Sequence, residues 1–251
     1  MPGYGKNTAE AYNRLWGRYA IACAKSIYNL YTITVAPQSK AILDLCCGTG
    51  HLLKYFLDQG FMATGLDLSE HMLAHAQNNC YSYVEQGHAQ FLLTDVRSFQ
   101  LPTQFDLVTA TYDSLNHLES AEALKEVFVK VQRVLSAHGM FVFDLNTTRG
   151  LDDWNRVRVT DRDGYAVISR GFFDPSEGIA RKKFSGFYRI GNGYYERSEE
   201  IIANIALPVS EVESMLRHVG FGHCYTADLS DLSTKIIDPE ALDRVVFIVR
   251  H

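Results

Sequence analysis

The chain has 251 residues, enough for one substantial α/β core, and its 47% hydrophobic and 21% charged residues are ordinary for a globular protein. A net charge of −5, with no basic cluster longer than Arg181-Lys182-Lys183, gives no electrostatic footprint for nucleic acid, so a small-molecule partner is expected. Five cysteines without a C-x-x-C pair, no signal-peptide pattern and no apolar run of about 18 residues predict reduced thiols in a cytoplasmic protein with no membrane partner.

In chain order, Tyr12, Leu15, Trp16, Tyr19, Cys23 and Ile27 repeat at helical spacing and predict one helix from Thr8 to about Tyr31, closed by Pro37. A strand follows at Ala41 to Leu45, then a helix from His51 to Gln59 that stops at Gly60. Phe61 to Leu66 reads as the second strand. Ser69 caps the next helix, which runs through Met72 and Ala76. Phe91 to Thr94 and Phe105 to Thr111 read as further strands, Ala121 to Leu135 as an amphipathic helix ending near Gly139, and Met140 to Leu145 as a fifth strand. The alternation predicts a mostly parallel sheet covered on both faces, with ligands held at the carboxyl ends of the strands.

From Trp154 to about Ile205 the period changes to two, with turns at "DPSEG" and "IGNG", which predicts an antiparallel insertion of three or four strands. The α/β pattern resumes with a helix from Pro208 to Val219, stopped by Gly220, and strands near His223 to Ala227 and Val245 to Val249. No internal repeat is visible.

The stretch "ILDLCCGTGHL", residues 42–52, joins a strand to a helix through Gly48 and Gly50, where a missing side chain lets a ligand approach the backbone. Asp44 ends the strand before it. Asp67 ends the next strand, in "GLDLS", where a carboxylate can accept both hydroxyls of a ribose. A dinucleotide loop would carry a third glycine, but Leu53 stands there. Asp44 would repel a pyrophosphate and attract an ammonium or sulfonium.

"ILDLCCGTGHL", "GLDLSEHML", "LLTDVRSF" and "FDLVTATYDSLNHL" resemble, in order and spacing, the motifs of class I S-adenosylmethionine-dependent methyltransferases over residues 8–145. The resemblance implies a Rossmann-like seven-stranded, mostly parallel sheet with helices on both faces and an antiparallel β insertion after the fifth strand. It implies a single methyltransferase domain over 1–251, made of an N-terminal helical lid (1–36), a cofactor-binding core (37–146), a β cap (147–206) and the end of the core (207–251). Cys46 stands where the family usually has its first glycine, a variant that some members share.

Carried over residue by residue, the resemblance sets Asp44, Cys46, Gly48 and Gly50 around the methionine part of S-adenosylmethionine and Asp67 on the ribose hydroxyls. It packs Leu68 and Met72 against the adenine, offers Asp95 and the backbone of Val96 to its amino group, and turns the Thr111 carbonyl to the methionine ammonium. "AYNRLWGRYA" resembles the Tyr-rich helix that closes over the cofactor, so Tyr12 and Tyr19, seven apart, are candidates for its carboxylate or sulfonium. Arg18 is an alternative partner for that carboxylate.

"YDSLNHL" at 112–118 is similar to loops of glycine and amino-sugar N-methyltransferases, which makes His117 the candidate base or orienting group and Asp113 the partner of an amine acceptor. Asn146, Arg149 and Trp154 complete the expected substrate rim, with Arg149 placed to clamp a carboxylate. Arg181, Tyr188, Tyr194, Tyr195 and Glu200 alternate along the insertion, so only some can line a pocket. The nine histidines show no H-E-x-x-H or H-x-H spacing, and no metal is expected. The expected activity is methyl transfer to a small-molecule acceptor, directed to nitrogen over oxygen, by in-line displacement of a neutral thioether. A cofactor-binding protein without transfer activity and a nicotinamide-dependent oxidoreductase are the rival readings, and a homodimer is allowed.

Overall fold

The apolar stripe from Tyr12 to Ile27 runs along two helices, α1 (Lys6–Leu15) and α2 (Gly17–Thr34), separated at Trp16. The break sits where Gly17 meets the His51 ring, which a Cβ at that position would approach to 2.7 Å. The protein is described by a computed structural model covering residues 4–35, 40–191 and 193–251; Pro37, the expected helix stop, lies outside them.

The alternating elements follow: β1 (Ala41–Leu45), α3 (His51–Asp58), β2 (Met62–Asp67), α4 (Glu70–Asn79), a short α5 (Tyr81–Glu85), β3 (Ala89–Leu93) and β4 (Phe105–Ala110). A 3-10 turn (Ser114–His117), α6 (Ala121–Val134) and β5 (Leu135–Asn146) complete the first half. Ser69 caps α4 as expected, its Oγ accepting from the Met72 amide at 3.2 Å. β5 begins directly at the end of α6, so Gly139, expected to stop the helix, lies inside the strand.

After α7 (Thr148–Asp152), four strands form a separate antiparallel sheet in the order β6 (Val157–Arg162), β7 (Tyr165–Asp174), β8 (Ile179–Gly191) and β9 (Tyr194–Ile205). The chain then returns through α8 (Val209–Val219), β10 (His223–Ala227) and β11 (Arg244–Arg250) to the main sheet. That sheet has seven strands in the order β10-β11-β5-β4-β1-β2-β3. Its pairings are parallel from β3 to β5, whereas β11 is antiparallel to both β5 and β10.

Both faces of the main sheet are covered, which is why β1 and β4 are buried along their full lengths. On one face Val127, Phe128 and Val131 of α6 and Val212 and Leu216 of α8 pack over Leu43, Leu45 and Phe143. Phe143 of β5 and Phe247 of β11 are register partners, and their rings stack 4.6 Å apart. Opposite them, α2, α3 and α4 bury Ile27, Phe56 and Ala76 against Ile42, Leu107 and Val142.

The four-stranded sheet is fastened to the strand ends by buried Asn116. Its Nδ2 donates to the carbonyls of Ile205 (2.9 Å) and Asn146 (3.3 Å), and its Oδ1 accepts from the Asn146 amide. Helix α1 ties the other side. Glu200 accepts from the Gly5 amide, Asn7 donates to Glu196, and Ser69 donates to the Tyr4 carbonyl.

Candidate active site

Two cavities open where the cap meets the carboxyl ends of the strands. The first, about 370 Å³, lies over β1, β2 and β4; the second, about 470 Å³, lies beneath the inner face of the cap. Tyr4, Tyr12, Tyr112, His117, Glu200 and Ile202 line both, so the cavities share a wall.

Of the expected cofactor residues, Tyr12, Cys46, Gly48, Asp67, Leu68, Met72, Asp95, Val96 and Thr111 line the first cavity. The two glycines of the loop divide the work. Gly48, at φ +53°, borders the cavity, and a Cβ there would meet only Tyr12 at 3.7 Å. Gly50, at φ +74°, faces α4, where a Cβ would come within 3.1 Å of the Ala76 Cα. Its side chain is absent for helix packing, and Gly50 does not line the cavity. Asp44 also sits behind the loop, 3% exposed, with its carboxylate accepting from the Thr109 hydroxyl at 2.6 Å. Burial pushes its carboxyl up to about 7. Leu53, in place of a third loop glycine, is fully buried in the core.

Asp67 binds the loop to its own strand: Oδ2 accepts from the Gly48 amide (2.8 Å) and Oδ1 from the Ser69 amide (2.9 Å). Burial raises its carboxyl, and these amides pull the other way. Each oxygen keeps a second lone pair for a ligand. Asp95 is held by Arg97, whose Nε lies 2.9 and 3.0 Å from the two oxygens and which also pairs with Glu119, so Asp95 is held below the usual carboxylate range. Beside them Leu68, Met72, Val96 and Leu118 make an apolar slot, and Ser114 Oγ is buried without a hydrogen-bond partner. A carboxylate with free lone pairs, an apolar slot, a glycine open to the cavity and an orphan hydroxyl fit a nucleoside carrying an amino-acid tail.

Tyr19 lines neither cavity. The break at Trp16 separates it from Tyr12, and its ring packs on Tyr112 with centroids 4.5 Å apart. Arg18 is exposed and lines neither cavity.

The loop after β4 is held in a strained form. Tyr112 (φ +67°) and Asp113 (φ +51°) are consecutive left-handed residues with side chains, a conformation that costs energy in each. Buried Asp144 at the end of β5 offsets it by accepting both amides, from Tyr112 at 2.9 Å and Asp113 at 2.5 Å. Arg244 of β11 closes the network with 2.8 Å to Asp144 and 2.6 Å to Asp113, its guanidinium lying against the rings of Tyr19 and Tyr112. Burial alone would lower the Arg244 pKa, but Asp144 and Asp113 hold it well above the ordinary value. Sequence reading missed both Asp144 and Arg244. Asp113, the expected partner of an amine acceptor, lines the second cavity with its carboxylate committed instead to Arg244.

His117 stands on the shared wall. Its Nδ1 lies 3.0 Å from the Ala203 carbonyl and 3.4 Å from Asn204 Nδ2; the shorter contact, to a group that can only accept, favours the neutral tautomer with the proton on Nδ1 and the lone pair on Nε2. Burial raises the Tyr4, Tyr12 and Tyr112 phenols, the last to about 12, so they act as donors there. Among the described residues of that wall, the groups able to accept a proton are His117 and Glu200, whose carboxyl burial also pushes up.

Asn146 and Trp154 line the second cavity. Arg149 does not: it is exposed, pairs with Asp243 at 3.0 Å and lines neither cavity. From the cap, Tyr188 and Glu200 face inward with Tyr165, Lys182 and Phe184, which the period-2 pattern left unassigned. Arg181, Tyr194 and Tyr195 are exposed. Among the described residues no three His, Cys, Asp or Glu side chains group as a metal site would need, and no helix is long and apolar enough to cross a membrane.

A family model described as a methyltransferase domain matches residues 42–139. The chain is 33% identical over 198 residues to "Putative methyltransferase YqeM" of Bacillus subtilis, covering 78% of this chain and 79% of that one. It is 30% identical over 134 residues, about half of each chain, to a dTDP-3-amino-3,4,6-trideoxy-α-D-glucopyranose N,N-dimethyltransferase of Streptomyces venezuelae. The fold superposes on a solved S-adenosylmethionine-dependent methyltransferase from Clostridium acetobutylicum with a TM-score of 0.81 at 24% identity, covering 97% of both chains. With the strand order, the glycine loop and the fitted cavity already pointing the same way, the chain belongs to the class I S-adenosylmethionine-dependent methyltransferases.

Proposed function

We propose that the chain methylates a nitrogen of a small-molecule acceptor that binds under the cap and meets the cofactor at the wall carrying His117. The observation that carries this reading is the shared wall: two cavities of ligand size touch where His117 and Glu200 stand. The similarity to an amino-sugar N,N-dimethyltransferase supports nitrogen over oxygen.

S-adenosylmethionine supplies an electrophilic methyl group on a sulfonium whose departure as a neutral thioether needs no acid. The residues hold and screen it. Asp67 offers its free lone pairs to the ribose hydroxyls, Leu68 and Met72 cover the adenine, and Thr111 and Ser114 face the amino-acid tail. Arg97 holds Asp95 at the adenine end. On the acceptor side, the Ala203 carbonyl favours the tautomer that leaves His117 Nε2 free to take a proton from the acceptor nitrogen. Glu200 offers a carboxylate to an ammonium at the same wall.

Release of S-adenosylhomocysteine tests this against pairs of amines and matched alcohols, amino sugars first. Turnover of amines supports nitrogen transfer. Turnover of the alcohols without the amines contradicts it.

A further inference from the structure

In the sequence, Arg181-Lys182-Lys183 reads as a short surface cluster. In the cap it is split by the pleat of β8: Arg181 and Lys183 are exposed and pair with Glu177 and Glu199, while Lys182 enters the acceptor cavity. There its ammonium lies 3.7 Å from the centre of the Trp154 ring.

The other cations lining that cavity are accounted for. Arg244 is shared by Asp113 and Asp144, and Arg158 pairs with Asp153. Lys182 is the cation that, among the described residues of this cavity, has no carboxylate within ion-pairing distance. Burial lowers the Lys182 pKa to about 8; Asp113 is the acidic group that opposes this, and its carboxylate is already held by Arg244. A desolvated ammonium needs a counter-charge, and an indole face supplies only part of one. Lys182 sits beside Trp154 of the expected substrate rim, in the cavity whose other wall carries His117.

We propose that Lys182 is a specificity-determining residue that binds an anionic group of the acceptor, so that the substrate class is a small amine bearing a phosphate or a carboxylate. This rests on the cavity under the cap being the acceptor's. The anion lies at the Lys182 ammonium while the nitrogen lies at His117 and Glu200. An acceptor with both ends is held in one orientation, and an uncharged amine leaves Lys182 without its partner.

The chain's two tryptophans, Trp16 and Trp154, both line this cavity, so their emission reports on it. Protein saturated with S-adenosylhomocysteine is titrated at constant ionic strength with inorganic phosphate and pyrophosphate, with acetate and succinate, and with chloride as control. A saturable emission change in wild type that weakens about tenfold or more in Lys182→Met, and stays within a few-fold in Lys182→Arg, is the expected result. Lys182→Gln is a second neutral variant held to the same loss. Saturation by phosphates alone assigns a phosphorylated acceptor, and saturation by carboxylates alone an acidic one. No saturation by any anion, or wild-type affinity kept in both neutral variants, overturns the proposal while S-adenosylhomocysteine binding leaves the methyltransferase reading intact. Failure of S-adenosylhomocysteine itself to bind wild type would overturn both.

Discussion

The cavity over the strand ends and the cavity under the cap share a wall but are built differently. Over the strand ends, the polar framework is backbone held by carboxylates: Asp67 grips the Gly48 and Ser69 amides, and Asp144 grips those of Tyr112 and Asp113. Under the cap, long side chains from alternate positions of four strands supply the surface, with Lys182 and Phe184 from β8 and Glu200 and Ile202 from β9. A site made by loop geometry accepts one ligand shape across a family. A site made by side chains on a pleat can be changed one residue at a time without moving the backbone.

That contrast makes two neighbouring cations behave differently. Arg244→Met leaves Asp113 and Asp144 buried without their partner and should cost about 3–5 kcal/mol of stability in chemical denaturation. Lys182→Met orphans no buried charge and should cost less than about 1 kcal/mol. Equal losses would erase the distinction between framework and lining.

Asp44 tests the framework through pH. The native carboxyl keeps its proton to about pH 7 because it is buried, whereas an unfolded Asp ionises at about 4. The folded state therefore binds the extra proton between these values, and stability falls as pH rises through that window, by up to about 1.4 kcal/mol per unit. Asp44→Asn should flatten this fall while keeping the bond from Thr109. Denaturation curves at several pH values measure it, and an unchanged slope would assign the effect elsewhere.

At Asp67 the two roles coincide. Asp67→Ala should weaken S-adenosylhomocysteine binding by about 1.5–3 kcal/mol for each ribose bond lost. It should also cost about 1–3 kcal/mol of stability, because the Gly48 and Ser69 amides lose their acceptor. Calorimetry with unchanged affinity would remove Asp67 from the cofactor site.

The glycines give the finest separation. Each sits in the left-handed region, so alanine strains either by about 1–2 kcal/mol. Gly50→Ala additionally presses on Ala76 and should lose more stability, with cofactor affinity kept by the folded fraction. Gly48→Ala puts its methyl group in the cavity and should lose more affinity. Melting temperature and calorimetry on the two variants decide it.

The strand-end cavity was largely legible because its residues lie at strand ends in one short span, and the local sequence fixes which residues end a strand. The cap's four-stranded form was legible from its period of two. Which face looked inward was not, since alternation is symmetric until the sheet is docked, here by Asn116. Arg244 was hidden by distance along the chain: its partners are 131 and 100 residues away, brought together when β11 pairs beside β5. Tyr19 misled because a continuous apolar stripe looks the same whether or not the helix breaks at Trp16. Arg149 was expected at the rim from its place after β5, but α7 turns it outward to Asp243.

The central claim is that cofactor and acceptor meet at His117. The most direct test measures S-adenosylmethionine affinity and methyl-transfer turnover together in His117→Ala, with an amine acceptor that wild type uses. Affinity within about threefold of wild type and turnover lower by ~10²-fold or more is the predicted result, the usual worth of a positioned acid–base group. Turnover and its pH profile both unchanged would reduce His117 to a bracket for the Ala203 carbonyl and contradict the account.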